Sequence, residues 1–379
     1  MRKKILLVFG TRPEFIKMYP LVKELQDNDD CELIICNTGQ HKEMVDELLE
    51  LFDVSVQYSL EVMKDNQSLS YLTSSIINKF SNLLDLVSPD LIFVQGDTTT
   101  TFSCCLASFY KKIPVAHVEA GLRTNDIYSP WPEEANRTMI SRICKYNFAP
   151  TQLSKEHLLK ENIADNSIYV VGNTVIDAAK IASKLIKNSN YIDKFSSVFK
   201  FPEDKKLVLI TVHRRENHGD NLISICSAIQ ELSKTGKYYF VFPVHPNPNV
   251  KHTVHNMLGD IDNILLLNSL SYLKLIYVLE YCNIVMTDSG GIQEEAAAFS
   301  KPVFVLRNNS ERMEGVVART AKIIGVDTTQ IVNEVTDYIN GKSYFNLDNN
   351  NVYGDGFSSK KIVDILEQEG FLCSKEYAL

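Results

Sequence analysis

Short apolar runs of strand length alternate along the whole chain with stretches of helical period, the pattern of doubly wound parallel sheets. In the first half, residues 4–10, 32–37, 91–95, 114–118 and 146–149 read as strands. Helices are predicted between them at 14–25, 42–52, 69–86, 99–110 and 133–143. The second half repeats the scheme, with strands at 207–212, 239–244, 264–267, 284–287 and 303–306 and helices at 222–233, 272–279 and 292–299. The pattern predicts an α/β fold of two domains facing one cleft. The first domain spans 1–172 and the second 173–356, with a C-terminal helical segment within 357–379 packing back on the first. Residues 187–205 read as a polar surface excursion and 348–351 as a loop.

Two strand ends share one logic. Val94-Gln95-Gly96-Asp97-Thr98-Thr99-Thr100-Thr101 and Met286-Thr287-Asp288-Ser289-Gly290-Gly291-Ile292-Gln293-Glu294-Glu295 each run from apolar residues into small polar ones that open a helix. Parallel sheets take ligands at the carboxyl ends of their strands, and exposed N–H groups at a helix start attract anions. Ser289-Gly290-Gly291 suits a phosphate, because glycine lets the backbone approach and serine caps the helix. Glu294 and Glu295 then come within reach of a nucleotide's sugar hydroxyls. Gly10-Thr11-Arg12-Pro13-Glu14 follows the first strand, with Pro at a favoured helix start and Arg12 offering a guanidinium to a phosphate or carboxylate. No G-x-G-x-x-G occurs, so the chain carries no dinucleotide fingerprint.

Composition narrows the choice. The 379 residues, 45% hydrophobic and 23% charged, are ordinary for a two-domain globular protein. A formal net charge of −8 supplies no basic field for nucleic acid. No apolar run approaches the roughly 18–20 residues of a membrane span, and Met1-Arg2-Lys3-Lys4 leads into a strand rather than a signal-peptide core; the chain reads as cytoplasmic, without membrane contact. The eight cysteines form no C-x-x-C pair and lie mostly in apolar patterns, as reduced core thiols do. His252 and His255 stand three apart without an acid or cysteine beside them and read as helix surface, so no metal site is expected.

Asp97, Glu119 and Glu133 each follow a strand or loop of the first half. Three carboxylates at one sheet edge would repel one another, raise at least one pKa, and supply both an acid and a base near neutrality. His213, opening His213-Arg214-Arg215-Glu216, and His245, in Phe242-Pro243-Val244-His245-Pro246, end strands of the second half and suit a diphosphate leaving group. Arg312 is the corresponding arginine of the last third.

Together these words resemble the non-hydrolysing UDP-N-acetylglucosamine 2-epimerases. The matching stretches are Val8-Phe9-Gly10-Thr11-Arg12-Pro13-Glu14 with Lys17, Gly96-Asp97-Thr98-Thr99-Thr100, His117-Val118-Glu119-Ala120-Gly121-Leu122-Arg123-Thr124, residues 129–137, Gly172-Asn173-Thr174-Val175-Ile176-Asp177, His213-Arg214-Arg215-Glu216-Asn217, and residues 288–295. The resemblance implies two Rossmann-like domains, as in B-type glycosyltransferases, with UDP on the second and the sugar against the first. It implies that Arg12, Lys17, His213, His245, Ser289, Gly290, Gly291, Glu295 and Arg312 hold the nucleotide. Asp97, Glu119 and Glu133, with His213, would carry the chemistry, the C2 base being Asp97 or Glu133 and Glu119 a support. The family eliminates UDP to leave 2-acetamidoglucal and adds it back with the opposite C2 configuration. The expected partners are UDP-N-acetylglucosamine, UDP and a second copy of the chain in a homodimer; no cofactor is needed, and the product feeds a surface polysaccharide.

The chain also departs from the family. Ala297-Ala298-Phe299-Ser300 and Arg307-Asn308-Asn309-Ser310-Glu311-Arg312-Met313-Glu314 keep Arg312 but lose a proline and an acid around it. Gln40 fits the pocket where many members bind a second UDP-N-acetylglucosamine as activator, whereas Asn66 stands where some carry arginine. Three other readings share the fold: a hydrolysing relative, a glycosyltransferase and a silent nucleotide-sugar binding module. The 129–137 word argues against the first, the lack of a membrane-facing patch against the second, and the presence of Asp97, Glu119, Glu133 and His213 against the third.

Overall fold

Ile5, Leu6, Leu7, Val8 and Phe9 are all buried, so the first strand has protein on both faces, as a central strand of a covered parallel sheet must. A computed structural model describes residues 2–40, 42–64, 67–342, 344–349 and 351–373. Asn66 and Asn350 lie outside the described residues.

In chain order the elements are β1 (Lys3–Phe9), α1 (Arg12–Gln26), β2 (Cys31–Asn37), α2 (Lys42–Leu51), β3 (Tyr58–Ser59), α3 (Leu69–Val87), β4 (Leu91–Gln95), α4 (Thr99–Tyr110), β5 (Val115–Val118), α5 (Glu133–Ile143), β6 (Tyr146–Ala149), α6 (Gln152–Lys160), β7 (Ile168–Val170) and α7 (Thr174–Lys187). They continue with α8 (Tyr191–Val198), β8 (Lys206–Thr211), α9 (Asp220–Ser233), β9 (Tyr238–Pro243), α10 (Pro248–Leu258), β10 (Ile264–Leu267), α11 (Tyr272–Tyr281), β11 (Ile284–Thr287), α12 (Gly290–Ala298), β12 (Val303–Val305), α13 (Met313–Val317), β13 (Ala321–Ile323), α14 (Thr328–Ile339) and α15 (Ser358–Gln368). Unit one takes the described residues up to Ala178 and those from Gly354 onward, and unit two is Ala179–Tyr353. In unit one α15 packs on α1, and Asp177 Oδ1 takes the Ser359 N–H at 2.8 Å and its hydroxyl at 2.7 Å, capping α15 from outside its own segment.

Each unit holds one wholly parallel sheet, so the α/β expectation holds. The order is β3-β2-β1-β4-β5-β6-β7 in unit one and β10-β9-β8-β11-β12-β13 in unit two. Strand order reverses between β1 and β4, where Ile5 pairs with Leu91, and between β8 and β11, where Val208 pairs with Ile284. Ligands of open parallel sheets bind beyond the carboxyl ends of strands at such reversals. Both strand ends singled out in the sequence lie there.

The differences from the sequence pattern are local. Residues 187–205 are no bare surface excursion: α8 buries Phe195 and Phe199, whose ring centroids lie 5.5 and 5.8 Å from that of Tyr277. The short edge strands β3, β7 and β13 and the helices α6, α7, α13 and α14 were not predicted, and α10 was foreseen only as a helical surface around His252 and His255. His252 and His255 are exposed on α10, as expected of helix surface. Seven cysteines are buried as free thiols and Cys373 is exposed. Among the described residues, no helix is long and apolar enough to cross a membrane.

Candidate active site

In unit one the site begins with the turn from β1 into α1. The Thr11 hydroxyl caps Glu14 N while Glu14 reaches back, its Oε2 accepting from the N–H groups of Gly10 at 2.8 Å and Thr11 at 2.7 Å. Its Oε1 accepts from the hydroxyls of Thr98 at 2.5 Å and Thr101 at 3.0 Å, which locks the start of α1 to the start of α4. Gly10 has no alternative here, since a Cβ would lie 2.1 Å from Thr38 Oγ1 and 2.7 Å from Thr100 Oγ1.

Above this turn lies a cavity of about 420 Å³ whose lining includes Lys17, Gln40, Asp97, Glu119, Glu133 and Asn136. The expectation that the three acids mainly repel one another needs correction, because two of them have a cation of their own. Asp97 pairs through Oδ2 with Arg137, which also pairs with Glu134. Glu119 Oε1 accepts from Lys17 Nζ at 2.5 Å and Asn173 Nδ2 at 2.8 Å, and its Oε2 accepts from Gln95 Nε2 at 2.6 Å. Glu119 also holds φ +70°, a left-handed backbone that a non-glycine residue keeps only where its surroundings over-determine it. Glu133 differs: it opens α5, and its Oε2 is buried with no hydrogen-bond partner among the described residues. Gln40 lines this same cavity and accepts from the Thr100 hydroxyl at 2.8 Å. Arg12 is the first residue of α1, between two residues of the cavity wall, Thr11 and Pro13.

In unit two the ends of β8 and β11 meet at Asp288. This fully buried carboxylate accepts from the N–H of His213 at 3.1 Å, the N–H of Arg214 at 2.9 Å and Asn217 Nδ2 at 2.9 Å. Burial disfavours its ionised form, but the hydrogen bond and charge of His213, with the Arg214 and Asn217 bonds, outweigh it and hold the carboxyl below its usual range. Burial, then the imidazoles of His213 and His218, keeps His245 below the ordinary histidine range.

Helix α12 starts two residues after Asp288, at Gly290. Ser289 occupies the cap position, yet its side chain makes no capping hydrogen bond, contrary to expectation. Glu294 is a second correction, since it is buried and accepts from Arg312 Nε at 2.6 Å, so its carboxylate is held inside the fold rather than offered at the strand end; Glu295 is buried as well. Beside the helix start, Glu311 bonds Arg214 at 2.5 Å and Arg307 at 2.6 Å. Burial opposes ionisation of Glu311, but Arg312, Arg214 and Arg307 hold it far below the usual carboxylate range. Among the described residues no group of three or more His, Cys, Asp or Glu could hold a metal ion.

The sequence assigned no role to Gln95, Arg137, Asn173, Asp288 or Glu311. All but Glu311 fall inside the motif words, which is the signal that was available; apart from the local pairs Arg137–Glu134 and Arg307–Glu311, the partners they bind are distant in sequence and unmarked.

The full-chain comparisons agree with this geometry. The family model described as UDP-N-acetylglucosamine 2-epimerase matches residues 23–367. The chain is 45% identical over 367 residues to the UDP-N-acetylglucosamine 2-epimerase of Neisseria meningitidis, covering 96% of this chain and 99% of that one. A crystal structure of the Neisseria meningitidis UDP-GlcNAc 2-epimerase bound to UDP-GlcNAc superposes with a TM-score of 0.91 at 44% identity, covering 96% of this chain and all of that one (100%). A glycosyltransferase from Rickettsia africae shares the fold alone, at a TM-score of 0.63 and 14% identity over 97% of this chain and 98% of that one. Two parallel sheets with polar strand ends at their reversals, an acid-lined cavity, and a family match over most of the length lead to one conclusion: the chain belongs to the UDP-N-acetylglucosamine 2-epimerase family.

Proposed function

We propose that the protein reversibly converts UDP-N-acetylglucosamine to UDP-N-acetylmannosamine by eliminating and re-adding UDP through 2-acetamidoglucal. The observation that carries the reading is Glu133, whose buried Oε2 keeps its acceptor capacity unspent beside two acids already matched to cations. The hydrogen at C2 stands next to an acetamido nitrogen rather than a carbonyl, so forming a bare carbanion is very costly. Departure of UDP builds positive charge at C1 and acidifies that hydrogen. As the C1–O bond breaks, its electron pair leaves with the diphosphate, a carboxylate takes the C2 proton, and a C1–C2 double bond forms. In re-addition the diphosphate oxygen forms the C1–O bond again while the C1–C2 double bond takes a proton at C2 from an acid on the face opposite the one that lost it, which gives the other epimer. The sequence is redox-neutral.

In this reading Glu133 is the C2 base, Asp97 with Arg137 and Glu119 with Lys17 shape the charge around the ring, and unit one works on the sugar. Unit two serves the nucleotide: Ser289, Gly290 and Gly291 at the diphosphate, Glu295 at the ribose, and His213, His245 and Arg312 at the leaving group. Arg12 adds a guanidinium for the diphosphate. A cytoplasmic homodimer feeding a surface polysaccharide is the setting that goes with this chemistry, and Gln40, in the lining of the same cavity, is the candidate contact for a second UDP-N-acetylglucosamine.

Incubation with UDP-N-acetylglucosamine alone in deuterated water, followed by NMR of the sugars, tests the reading. UDP-N-acetylmannosamine carrying deuterium at C2 is expected. Free N-acetylmannosamine would mean a hydrolysing enzyme, no change without an added acceptor would mean a transferase or binding module, and product without solvent deuterium would sink the elimination route.

A further inference from the structure

We propose that Asp288 is the positioning residue of His213, holding its ring so that Nδ1 carries the proton and Nε2 is the atom left to exchange one with the nucleotide. The inference deepens the role given above to His213 and rests on it.

The argument starts from the donors around the carboxylate. The backbone N–H groups of His213 and Arg214 and the Nδ2 of Asn217 all point at Asp288 oxygens at 2.9 to 3.2 Å. Backbone amides cannot reverse their polarity, so Asp288 acts as an acceptor toward each of them. His213 Nδ1 lies 3.1 Å from Oδ1, the oxygen that Arg214 and Asn217 leave to His213. A bare Nδ1 lone pair at that distance would face an anion, whereas an Nδ1–H forms a charge-assisted hydrogen bond. The carboxylate therefore selects one tautomer.

The consequence lies at the other nitrogen. With Nδ1–H fixed, the neutral ring offers a lone pair at Nε2 and the cation offers Nε2–H, so proton exchange is confined to that atom. Asp288 is fully buried while the His213 side chain is 45% exposed, so the anchor is sealed in the fold and the exchanging group is open. Arg214 Nε donates to the Asp288 carbonyl at 3.1 Å, which ties the next residue to the same strand end. In elimination the Nε2–H proton passes to the departing diphosphate oxygen as the C1–O bond breaks. In re-addition that oxygen attacks C1 and returns the proton to Nε2.

The test is the tautomer itself, read by long-range proton–nitrogen correlation on the full chain labelled with ¹⁵N-histidine at alkaline pH, with His213 assigned by its loss in His213→Gln. The native chain should show a protonated Nδ1 and an unprotonated Nε2. Asp288→Asn should populate the Nε2–H form and lower kcat by about 10²-fold with a much smaller change in KM. The double variant Asp288→Asn/His213→Gln should be no slower than His213→Gln alone, within about three-fold, as expected of residues that act as one unit. A native His213 in the Nε2–H form overturns the proposal, as does an additive loss in the double variant. If Asp288→Asn does not fold, the native tautomer still decides. Normal turnover by His213→Gln would instead remove His213 from the reaction, a separate result from the tautomer.

Discussion

Asn173 donates from Nδ2 to Oε1 of Glu119 across 2.8 Å, joining the residue just before α7 to the residue just after β5. Lys17 reaches the same oxygen and Gln95 the other one, so the carboxylate is surrounded by donors from three separate elements. Asn173→Ala should lower stability by about 1.5–3 kcal/mol, the scale of a hydrogen bond to a charged group, and reduce kcat with it. Denaturant unfolding and steady-state rates measure both. A fully stable and fully active variant would show that the contact is dispensable.

The acids of the cavity should separate by experiment. Glu133→Gln should lower kcat by about 10²-fold or more and suppress deuterium wash-in at C2, and Asp97→Asn should lower kcat on a similar scale. Affinity for UDP, read by calorimetry, should barely change in either. Near-normal exchange in Glu133→Gln would pass the base assignment to Asp97.

A third expectation concerns the start of α12. A Cβ on Gly291 would meet nothing within 4 Å, so Gly291→Ala should fold and melt as the parent does. If a diphosphate lies against this backbone, the methyl group should weaken UDP binding by about ten-fold, or ~1.4 kcal/mol. Unchanged UDP affinity would take the helix start out of the nucleotide site.

His117 predicts an acid limit. Burial, countered only in part by its hydrogen bond to the Gly96 carbonyl at 2.7 Å, lowers this imidazole from 6.5 to about 4. Because the folded value lies below the unfolded one, the stability it contributes is complete above about pH 6.5 and is lost as pH falls toward 4, on the order of 3 kcal/mol. Thermal unfolding across that window should show the loss, and His117→Gln should flatten it. A slope that is the same in both proteins would place the acid sensitivity elsewhere.

Sequence pattern served best where burial is complete. The predicted ranges of β4 and β11 coincide with the observed strands because each is a fully buried run, apolar except for its last residue, between covered faces. It failed at β3, with two residues, and at β7 and β13, with three each, which are too short to show a period. The α8 helix was hidden by its polar flanks, although Tyr191 and Phe195 stand at helical spacing and their rings stack at 5.4 Å. Grouping Asp97, Glu119 and Glu133 was within reach of sequence, because all three follow strands or loops on one side of one sheet. Their partners were not: Arg137 lies 40 positions from Asp97, and Lys17 102 from Glu119, and nothing in the intervening chain marks the pairing.

The crowding at Gly10 sets a direction for redesign. With Thr38 and Thr100 already where a methyl group would go, the floor under β1 admits no carving, and a substitution there would unseat the Glu14 lock before it altered what the cavity accepts. Extra room in the cavity has to be cut elsewhere in its lining, at the half-buried Pro132 or the exposed Leu69, neither of which belongs to a strand.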